Sequence, residues 1–143
     1  MKSLAQILSS KRPGVVSVNT DEMVLHCLSI MEMNDIGALL VLSGGKPAGI
    51  FTERDYARKV VLRGKASVTT RVSEVMTAKV ISVTIHQTVE ECMAIMTERR
   101  CRHLPVTGED GTVVGLLSIG DLVKETISEQ AFIIGQLEHY ITN

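Results

Sequence analysis

The sequence predicts an α+β (α/β) protein made of two copies of one β-α-β-β-α unit, and three observations support this fold class. Residues 15–41 align with residues 80–106 at a constant shift of 65, and nine of these 27 positions are identical. Each copy begins with a short segment rich in β-branched residues, which is typical of a strand. In the segment that follows, apolar residues recur with the period of a helix. A turn rich in Gly and Asp then joins two further apolar stretches, which is typical of a hairpin. A repeat of this length predicts two similar structural units.

The predicted elements of the first copy are a strand, an amphipathic helix, a hairpin and a second helix. In order, they are a strand over 15–18, a helix with Val24, Cys27, Leu28 and Met31 on one face, strands over 38–42 and 48–51, and a helix from Thr52 to Gly64. Gly64 is well placed to end that helix, because glycine readily adopts the left-handed conformation of a C-terminal cap.

The second copy repeats this order, and its last helix is longer. Its elements are a strand over 80–83, a helix with Val89, Cys92, Met93 and Met96 on one face, strands over 103–107 and 113–117, and a helix from Ser118 through Ile127, Ile133 and Leu137 towards Tyr140. The segments before the two copies also agree, since Leu4, Ile7 and Leu8 have the spacing of Val72, Val75 and Met76.

These patterns divide the chain into five regions: an N-terminal helical segment (1–14), repeat 1 (15–64), a linker and lead-in (65–79), repeat 2 (80–127) and a C-terminal helical extension (128–143). One unit of this size buries too little apolar surface to be stable alone. We therefore expect the two sheets to pack on each other with pseudo-twofold symmetry. Such a pair has two equivalent crevices, each a candidate ligand site.

Composition excludes several classes of protein. The 143 residues are 45% hydrophobic and carry 15 Lys and Arg against 16 Asp and Glu. A net charge of −1 argues against a dedicated nucleic-acid binder. No apolar run reaches the ~18–20 residues of a membrane span, and the first eight residues are a poor signal peptide. We expect a soluble, cytoplasmic protein that contacts neither membrane nor nucleic acid.

Cysteine and histidine positions give no sign of a metal or catalytic site. Cys27, Cys92 and Cys101 contain no CxxC pair and lack metal-type spacing to a histidine, so neither a disulfide framework nor a zinc site is expected. No Ser/His/Asp or Cys/His set can be assembled, and no GxGxxG or Walker loop is present. The sequence therefore predicts no catalytic residues, which also makes an enzyme that uses NAD as a hydride carrier a weak alternative.

The strongest motif is a repeated Gly-h-h-[Thr/Ser]-x-x-Asp, where h is apolar, at the junction of the last strand and the second helix. Thr52 and Ser118 would lie at helix starts, beside unpaired N–H groups that attract phosphate. Asp55 and Asp121, one turn later, offer two acceptor oxygens suited to ribose hydroxyls. The preceding glycine would let a ligand approach the backbone. The alternative is a purely structural capping box, but its recurrence in both copies favours a ligand site.

Local charge supports an anionic ligand. Residues 53–71 hold six Lys and Arg against two acidic residues, and three Arg precede His103. Arg54 within the motif, and Arg102 with His103 at a strand start, are the better phosphate candidates. Other basic residues of the first copy's second helix are expected to form a solvated face.

Several of these segments together resemble a tandem cystathionine-β-synthase (CBS) domain pair, also called a Bateman module. They are the doubled unit, Met76-Thr77, the stretch from Arg102 to Val106, and the GIFTERD (49–55) and GLLSIGD (115–121) segments. The chain is most similar to stand-alone bacterial CBS-pair proteins. The resemblance implies adenosyl ligands, such as AMP, ADP, ATP, NAD(H) or S-adenosylmethionine, in two clefts between the repeats, and pairing of the module into dimers.

The resemblance also implies which residues would bind the ligand. In the first site these are Thr52, Glu53, Arg54 and Asp55, with Gly37, Ala38 and Ile81 lining the adenine; in the second they are Ser118, Asp121, Arg102 and His103, with Val16 against the base. The second copy has Ile119-Gly120 where Glu53-Arg54 stand, so the two sites need not bind equally.

The leading hypothesis is a non-enzymatic sensor of AMP or NAD(H), acting as a homodimer whose shape is read by an unidentified regulated protein. The alternative is a ligand-independent oligomerisation or interaction module. It is favoured by an apolar stripe on the last helix, comprising Phe132, Ile133, Leu137, Tyr140 and Ile141. Packing of that stripe on Leu4, Ile7 and Leu8 within the same chain is an equally open interpretation.

Overall fold

Two three-stranded sheets, each closed by a hairpin, form the centre of the protein. The computed structural model describes residues 1–11 and 15–142. The first half of the chain contains α1 (Leu4–Ser9), β1 (Ser17–Asn19), α2 (Val24–Asn34), β2 (Ala38–Ser43), β3 (Lys46–Thr52), α3 (Glu53–Asp55) and a π-helix (Tyr56–Val61). The second half contains α4 (Val72–Val75), β4 (Val83–Thr84), α5 (Val89–Arg99), β5 (His103–Thr107), β6 (Val113–Ser118) and α6 (Ile119–Thr142).

The predicted α+β fold of two β-α-β-β-α repeats is confirmed. The sheets have the orders β1-β2-β3 and β4-β5-β6. In each, the first strand runs parallel to the second, and the hairpin strands are antiparallel. A parallel pair needs a crossover, and α2 and α5 supply it. An apolar cluster of Ala38, Leu40 and Ile50 lies between the sheets and contacts Val113 and Leu116 of the other repeat.

The first strand of each repeat begins later than predicted. Pairing starts at Ser17 with Leu40 in one repeat and at Val83 with Val106 in the other. Val15 and Val80, predicted as strand residues, instead pack against the apolar cluster between the sheets. The β-branched residues correctly indicated that these segments are apolar. Val15 and Val80, however, are packed between the sheets and are not paired within a strand.

The two crossover helices end in the same way. Asp35 and Arg100 occupy equivalent positions and both adopt left-handed backbone conformations, with φ of 53° and 54°. The following residue then bonds back to the helix, with Ile36 N donating to Met31 O at 3.0 Å. Both helices thus end in the left-handed conformation that usually favours glycine, although neither residue is glycine.

The second helices of the two repeats differ. In repeat 1 the helix begins at Glu53 as predicted, then widens into the π-helix, where Leu62 N donates to Ala57 O at 3.0 Å. Gly64, with φ of 67°, follows its end. In repeat 2, α6 runs through 24 residues without a break near residue 127. Among the described residues, no helix has both the length and the apolar character needed to cross a membrane.

The helices that precede the two repeats, α1 and α4, are called the lead-in helices here, and each packs in the core of the other repeat. Leu4 and Ile7 of α1 are buried in the core of repeat 2, with residues such as Leu104. Val72 and Val75 of α4 are buried in the core of repeat 1. Residues 1–14 were expected to be an N-terminal helical segment, and the described part of that segment completes the second repeat. Each repeat thus depends on the segment that precedes the other one.

Two glycines make this exchange possible. A Cβ atom at Gly49 would lie 2.6 Å from Met76 Sδ and 2.7 Å from the carbonyl oxygen of Thr77. At Gly115 it would lie 2.5 Å from Leu8 Cδ2. The sequence motif attributes these glycines to the approach of a ligand. The structure gives them a further reason, since they leave room for Met76 and Thr77 after α4 and for Leu8 of α1.

The contacts predict unequal costs for alanine at these two positions. Gly49→Ala meets a backbone carbonyl that is also bonded to Ile50 N, and we expect a loss of about 2–3 kcal/mol in the free energy of unfolding, at the upper end for overpacking. Gly115→Ala meets the end of a leucine side chain, and we expect a smaller loss of about 1–2 kcal/mol. Urea denaturation measures both. Gly120→Ala serves as control, because its added Cβ, at a helical position, would make only an ordinary contact of 3.6 Å with Ser118 Oγ. An equal loss in all three variants would contradict the exchange contacts.

Candidate functional site

The first motif forms a reciprocal cap at the start of α3. Thr52 Oγ1 accepts a hydrogen bond from Asp55 N at 3.1 Å, and Asp55 Oδ2 accepts one from Thr52 N at 3.0 Å. This arrangement is the capping box considered as the structural alternative. The cap fixes the positions of a hydroxyl and a carboxylate at the edge of the first sheet.

Asp55 has further partners outside its helix. Thr77 Oγ1 donates to Asp55 Oδ1 at 3.2 Å, and Lys59 Nζ lies 3.1 Å from the same oxygen. Lys59 Nζ also reaches Met76 O at 3.4 Å. Asp55 is only 7% exposed, so the carboxylate joins its own helix to the segment after α4.

The second motif has the same cap but a different counter-ion. Asp121 Oδ2 accepts from Ser118 N at 2.8 Å, and Asp121 N donates to Ser118 Oγ at 3.1 Å. Lys11 Nζ, from beyond the end of α1, lies 2.7 Å from Asp121 Oδ2 and donates to Leu116 O at 2.8 Å. Lys11 was not singled out from the sequence, because its contact with Asp121 follows only from the exchanged lead-in helix.

The surroundings shift the pKa values of two groups here. Burial acts to raise the pKa of Asp121, but hydrogen bonds from Lys11 and Ser118 outweigh it and hold the pKa below the ordinary value. Burial lowers the pKa of His103, and the charge of Lys11 lowers it further, against the opposing effect of Asp121. At neutral pH, Asp121 is therefore ionised and His103 is neutral.

A cavity of ≈ 480 Å³ opens beside this second motif. Its wall combines repeat 1 residues that precede β1 and begin β2 with repeat 2 residues on β5 and β6. The described lining residues are Leu8, Lys11, Val15, Val16, Asn34, Asp35, Ile36, Gly37, Ala38, His103, Val114, Gly115, Leu116 and Ser118. Most are apolar, with a few polar groups, which is typical of a site for a small organic ligand.

The cavity brings together part of the predicted second site. Val16, His103 and Ser118 line it, whereas Asp121 lies behind Lys11 and lines an adjacent cavity of ≈ 210 Å³. Arg102 is exposed and is not among the described lining residues. The apolar wall and the Ser118 hydroxyl thus lie in one cavity and the Asp121 carboxylate lies in the next. The side chain of Lys11 lines both.

Residues predicted for the first site are distributed differently from that prediction. Gly37 and Ala38, expected beside Thr52, line the larger cavity of the second site. They also touch the first motif, because Ala38 pairs with Thr52 and Gly37 O accepts from Glu53 N at 3.1 Å. The start of β2 therefore lies between the two motifs, and the linear repeat could not show which crevice it would face.

The other first-site residues lie around the first motif. Ile81 is half-buried, before β4. The Glu53 carboxylate lies beside Gly37, about 3.5 Å from the position a Cβ would take there. Arg54 is exposed on α3, so its side chain can reach an anion only from the solvent side.

The cysteines are free thiols. Cys27 and Cys92 are buried at equivalent positions of α2 and α5, and Cys101 is half-buried. Burial raises the pKa of Cys27 to about 11, and it also raises the pKa values of the other two thiols. Such thiols are poor nucleophiles, in agreement with their interpretation as apolar core residues.

Comparison with known proteins identifies two matching domains in this chain. The family model of the CBS domain matches residues 6–62 and 72–128. A solved CBS-domain structure from Burkholderia ambifaria is 50% identical and superposes with a TM-score of 0.83, covering 90% of this chain and 96% of that one. The first matched range begins within α1, and the second begins at the first residue of α4.

Two other relatives are informative. The mitochondrial CBS domain-containing protein CBSX3 of Arabidopsis thaliana is 39% identical over 127 residues, which are 85% of this chain and 61% of that protein. This chain therefore spans somewhat less than two thirds of that relative. The CBS domain protein PAE2072 of Pyrobaculum aerophilum, solved in complex with AMP, is 23% identical with a TM-score of 0.74, covering 84% of this chain and 89% of that one. At that identity the likeness concerns the fold.

The lowered pKa of His103 predicts a pH-dependent stability. Between that lowered pKa and the unfolded value of about 6.5, the unfolded chain binds more protons than the folded chain. The free energy of unfolding therefore rises with pH across this window, and the contribution is lost as the pH falls through it. Urea denaturation at about pH 5 and about pH 8 is expected to show a smaller difference for His103→Gln than for the wild type.

The exposed His26 provides the matched control, since His26→Gln removes a histidine that is largely in solvent. A His103 NMR titration midpoint at or above the ordinary value would contradict the assigned burial effect.

Proposed function

We propose that this chain, which belongs to the CBS domain family, is a non-enzymatic regulatory module that binds an adenine nucleotide, AMP or NAD(H), between its two repeats. One observation carries the proposal, namely the cavity of ≈ 480 Å³ whose wall is built from both repeats. Its volume lies in the range of sites for small organic ligands, roughly 300–1,000 Å³.

The chemistry of the wall supports an adenosine ligand. Val16, Ala38 and Leu116 offer aliphatic surface to a base, and the backbone at Gly37 offers polar groups to its edge. Ser118 and Asp121 carry the hydroxyl and carboxylate suited to phosphate and ribose. No Phe or Tyr is among the described lining residues, so the base would be held by aliphatic contact and hydrogen bonds and not by stacking between rings.

A more distant member of the fold adds support. The Pyrobaculum protein was solved with AMP, which shows that a CBS pair of this architecture accommodates an adenine nucleotide. Repeat symmetry extends the proposal to a second site around Thr52 and Asp55, which have the same cap.

We further propose that the two sites bind unequally, with the Ser118 site stronger. Asp55 is buried and bonded to Thr77 and Lys59, so a ligand would have to replace bonds made within the protein. Glu53 also places a carboxylate beside Gly37, where repeat 2 has the apolar Ile119. A phosphate would be repelled by Glu53 at the first site and not by Ile119 at the second.

Regulation follows if the ligand favours one arrangement of the repeats. A ligand shifts a conformational equilibrium only by its difference in affinity for the two states. Because the cavity wall comes from both repeats, a change in the angle between the sheets would change the contacts with the ligand. A regulated partner would bind one of these arrangements.

The cytoplasm suits the three thiols. A reducing compartment keeps cysteines as free thiols, and Cys27 and Cys92 are placed as apolar core residues. We therefore propose a cytoplasmic location.

A ligand-independent oligomerisation module is the second candidate, and one observation favours it. Residues 131–142 of α6 are exposed along their whole length, including Phe132 at 63% and Tyr140 at 83%. The alternative in which this stripe packs on α1 is not what the structure shows, because Leu4 and Ile7 are buried in the core of repeat 2 instead. We propose that this tail surface, defined by residues 131–142, pairs with a second copy to form a homodimer.

Calorimetric titration with AMP and with NADH tests the nucleotide site. Asp121→Ala removes a charged acceptor and is expected to weaken binding by ~1.5–3 kcal/mol, which is roughly ten- to 150-fold, and Asp55→Ala should weaken any second binding event. Asp21→Ala, at an exposed aspartate, is the matched control. Asp121→Asn, which keeps the shape of the cap, should also weaken binding if the charge matters. Unchanged affinity in both alanine variants would reject the site.

A thermal-shift screen separates the two candidates. A nucleotide present at 100 times its Kd should stabilise a binding protein by ~2.7 kcal/mol, whereas the oligomerisation module gains nothing.

The homodimer is tested by sedimentation equilibrium. Leu137→Asp places a charge in the tail surface and is expected to convert dimers to monomers, because burying an unpaired carboxylate is costly. Ala131→Asp adds the same charge at an exposed position on the side of α6 opposite the apolar stripe and should leave the dimer intact. Dimers that persist in Leu137→Asp would place the interface elsewhere.

A further inference from the structure

We propose that Lys11 makes the Ser118 site selective for adenosine ligands that carry an anionic phosphate. When the ribose binds Asp121, the ammonium group of Lys11 leaves that carboxylate and pairs with the phosphate instead. This inference rests on the proposed nucleotide site and specifies the charge of its ligand.

The ammonium group of Lys11 has only a short distance to move in this exchange. Its Nζ is 2.7 Å from Asp121 Oδ2, and the same side chain lines both the large cavity and the adjacent cavity that contains Asp121. Lysine has a flexible stem of four carbons, so a rotation of its outer bonds moves the ammonium from one cavity into the other. The side chain is 36% exposed. Its second bond, from Nζ to Leu116 O at 2.8 Å, is made to a residue that itself lines the large cavity.

The repeat explains why this lysine is needed at all. Asp55 obtains its counter-ion from its own helix, through Lys59 four residues later. The corresponding residue in repeat 2 is Glu125, which is buried and accepts a hydrogen bond from Lys2 N. Asp121 therefore takes its counter-ion from outside α6, and that counter-ion can leave without disturbing the helix.

The charge balance then selects the ligand. Ribose hydroxyls that donate to Asp121 compete with Lys11 for the same carboxylate. Lys11 then needs another anion, since an unpaired ammonium in a partly buried site is costly. A phosphate supplies that anion. Adenosine does not. S-adenosylmethionine has one carboxylate, but its ammonium and sulfonium groups give it a net positive charge, which disfavours it beside Lys11.

Other charges around the cavity leave this role to Lys11. His103 is neutral at neutral pH, and Asp35 contributes a negative charge. Among the described residues that line the cavity, Lys11 is the one with a permanent positive charge.

The test compares AMP with adenosine and S-adenosylmethionine by calorimetric titration. The wild type should bind AMP at least about tenfold more tightly than adenosine, as expected for one hydrogen bond to a charged group. Lys11→Met should lose about tenfold or more in AMP affinity, with adenosine affinity unchanged or higher because Asp121 is freed. Lys11→Arg keeps the charge and should retain the preference for AMP. Lys79→Met, at the exposed position that corresponds to Lys11 in the second lead-in, is the matched control.

The outcomes separate this inference from the proposal beneath it. If the wild type binds neither AMP nor adenosine, the nucleotide site itself is wrong. If the wild type binds AMP but Lys11→Met keeps the same ratio of AMP to adenosine affinity, only the role of Lys11 is wrong. An equal fall in both affinities, with Lys11→Arg failing to restore them, would show that Lys11 merely supports the fold. Repeating the titration with Asp55→Asn assigns the measured heat to the Ser118 site.

Discussion

The exchange of lead-in helices is the contact on which the rest of the structure depends. Leu8 packs on Gly115 and Met76 packs on Gly49, so each hairpin is covered by a segment that precedes the other repeat. This packing completes both cores and brings Lys11 to Asp121 and Thr77 to Asp55. It also makes the pair indivisible, because removal of either lead-in opens the core of the opposite repeat. A candidate site between the repeats is therefore held by the same contacts that hold the fold.

The two motifs show how one cap can serve different chemistry. In both, a hydroxyl and a carboxylate satisfy the N–H groups at a helix start, which is a sufficient structural reason for their presence. Their difference lies in the counter-ion, which is internal for Asp55 and external for Asp121. A carboxylate whose partner can move is better suited to exchange that partner for a ligand than one enclosed by its own helix.

Sequence reasoning succeeded where a signal is local or repeated. The repeat itself, the hairpins and the helical faces that bury Cys27 and Cys92 all follow from spacing along the chain. It failed where the answer depends on tertiary placement. Gly49 and Gly115 have close contacts with residues that are distant in sequence. Which of the two sites Gly37 lines depends on how the two sheets are packed. The π-helix after Asp55 was also not predictable, since its residues have ordinary helical propensity.

The single long α6 connects the candidate site to the tail surface. It begins directly after Ser118 and runs for 24 residues, so a rise of about 1.5 Å per residue makes it roughly 36 Å long. A tilt of about 5° at its first turn would displace its far end by roughly 3 Å. The helix is thus a lever whose pivot lies at Asp121 and whose free arm carries Leu137 and Tyr140. Small rearrangements around one carboxylate would be amplified at the surface where a second protein can detect them.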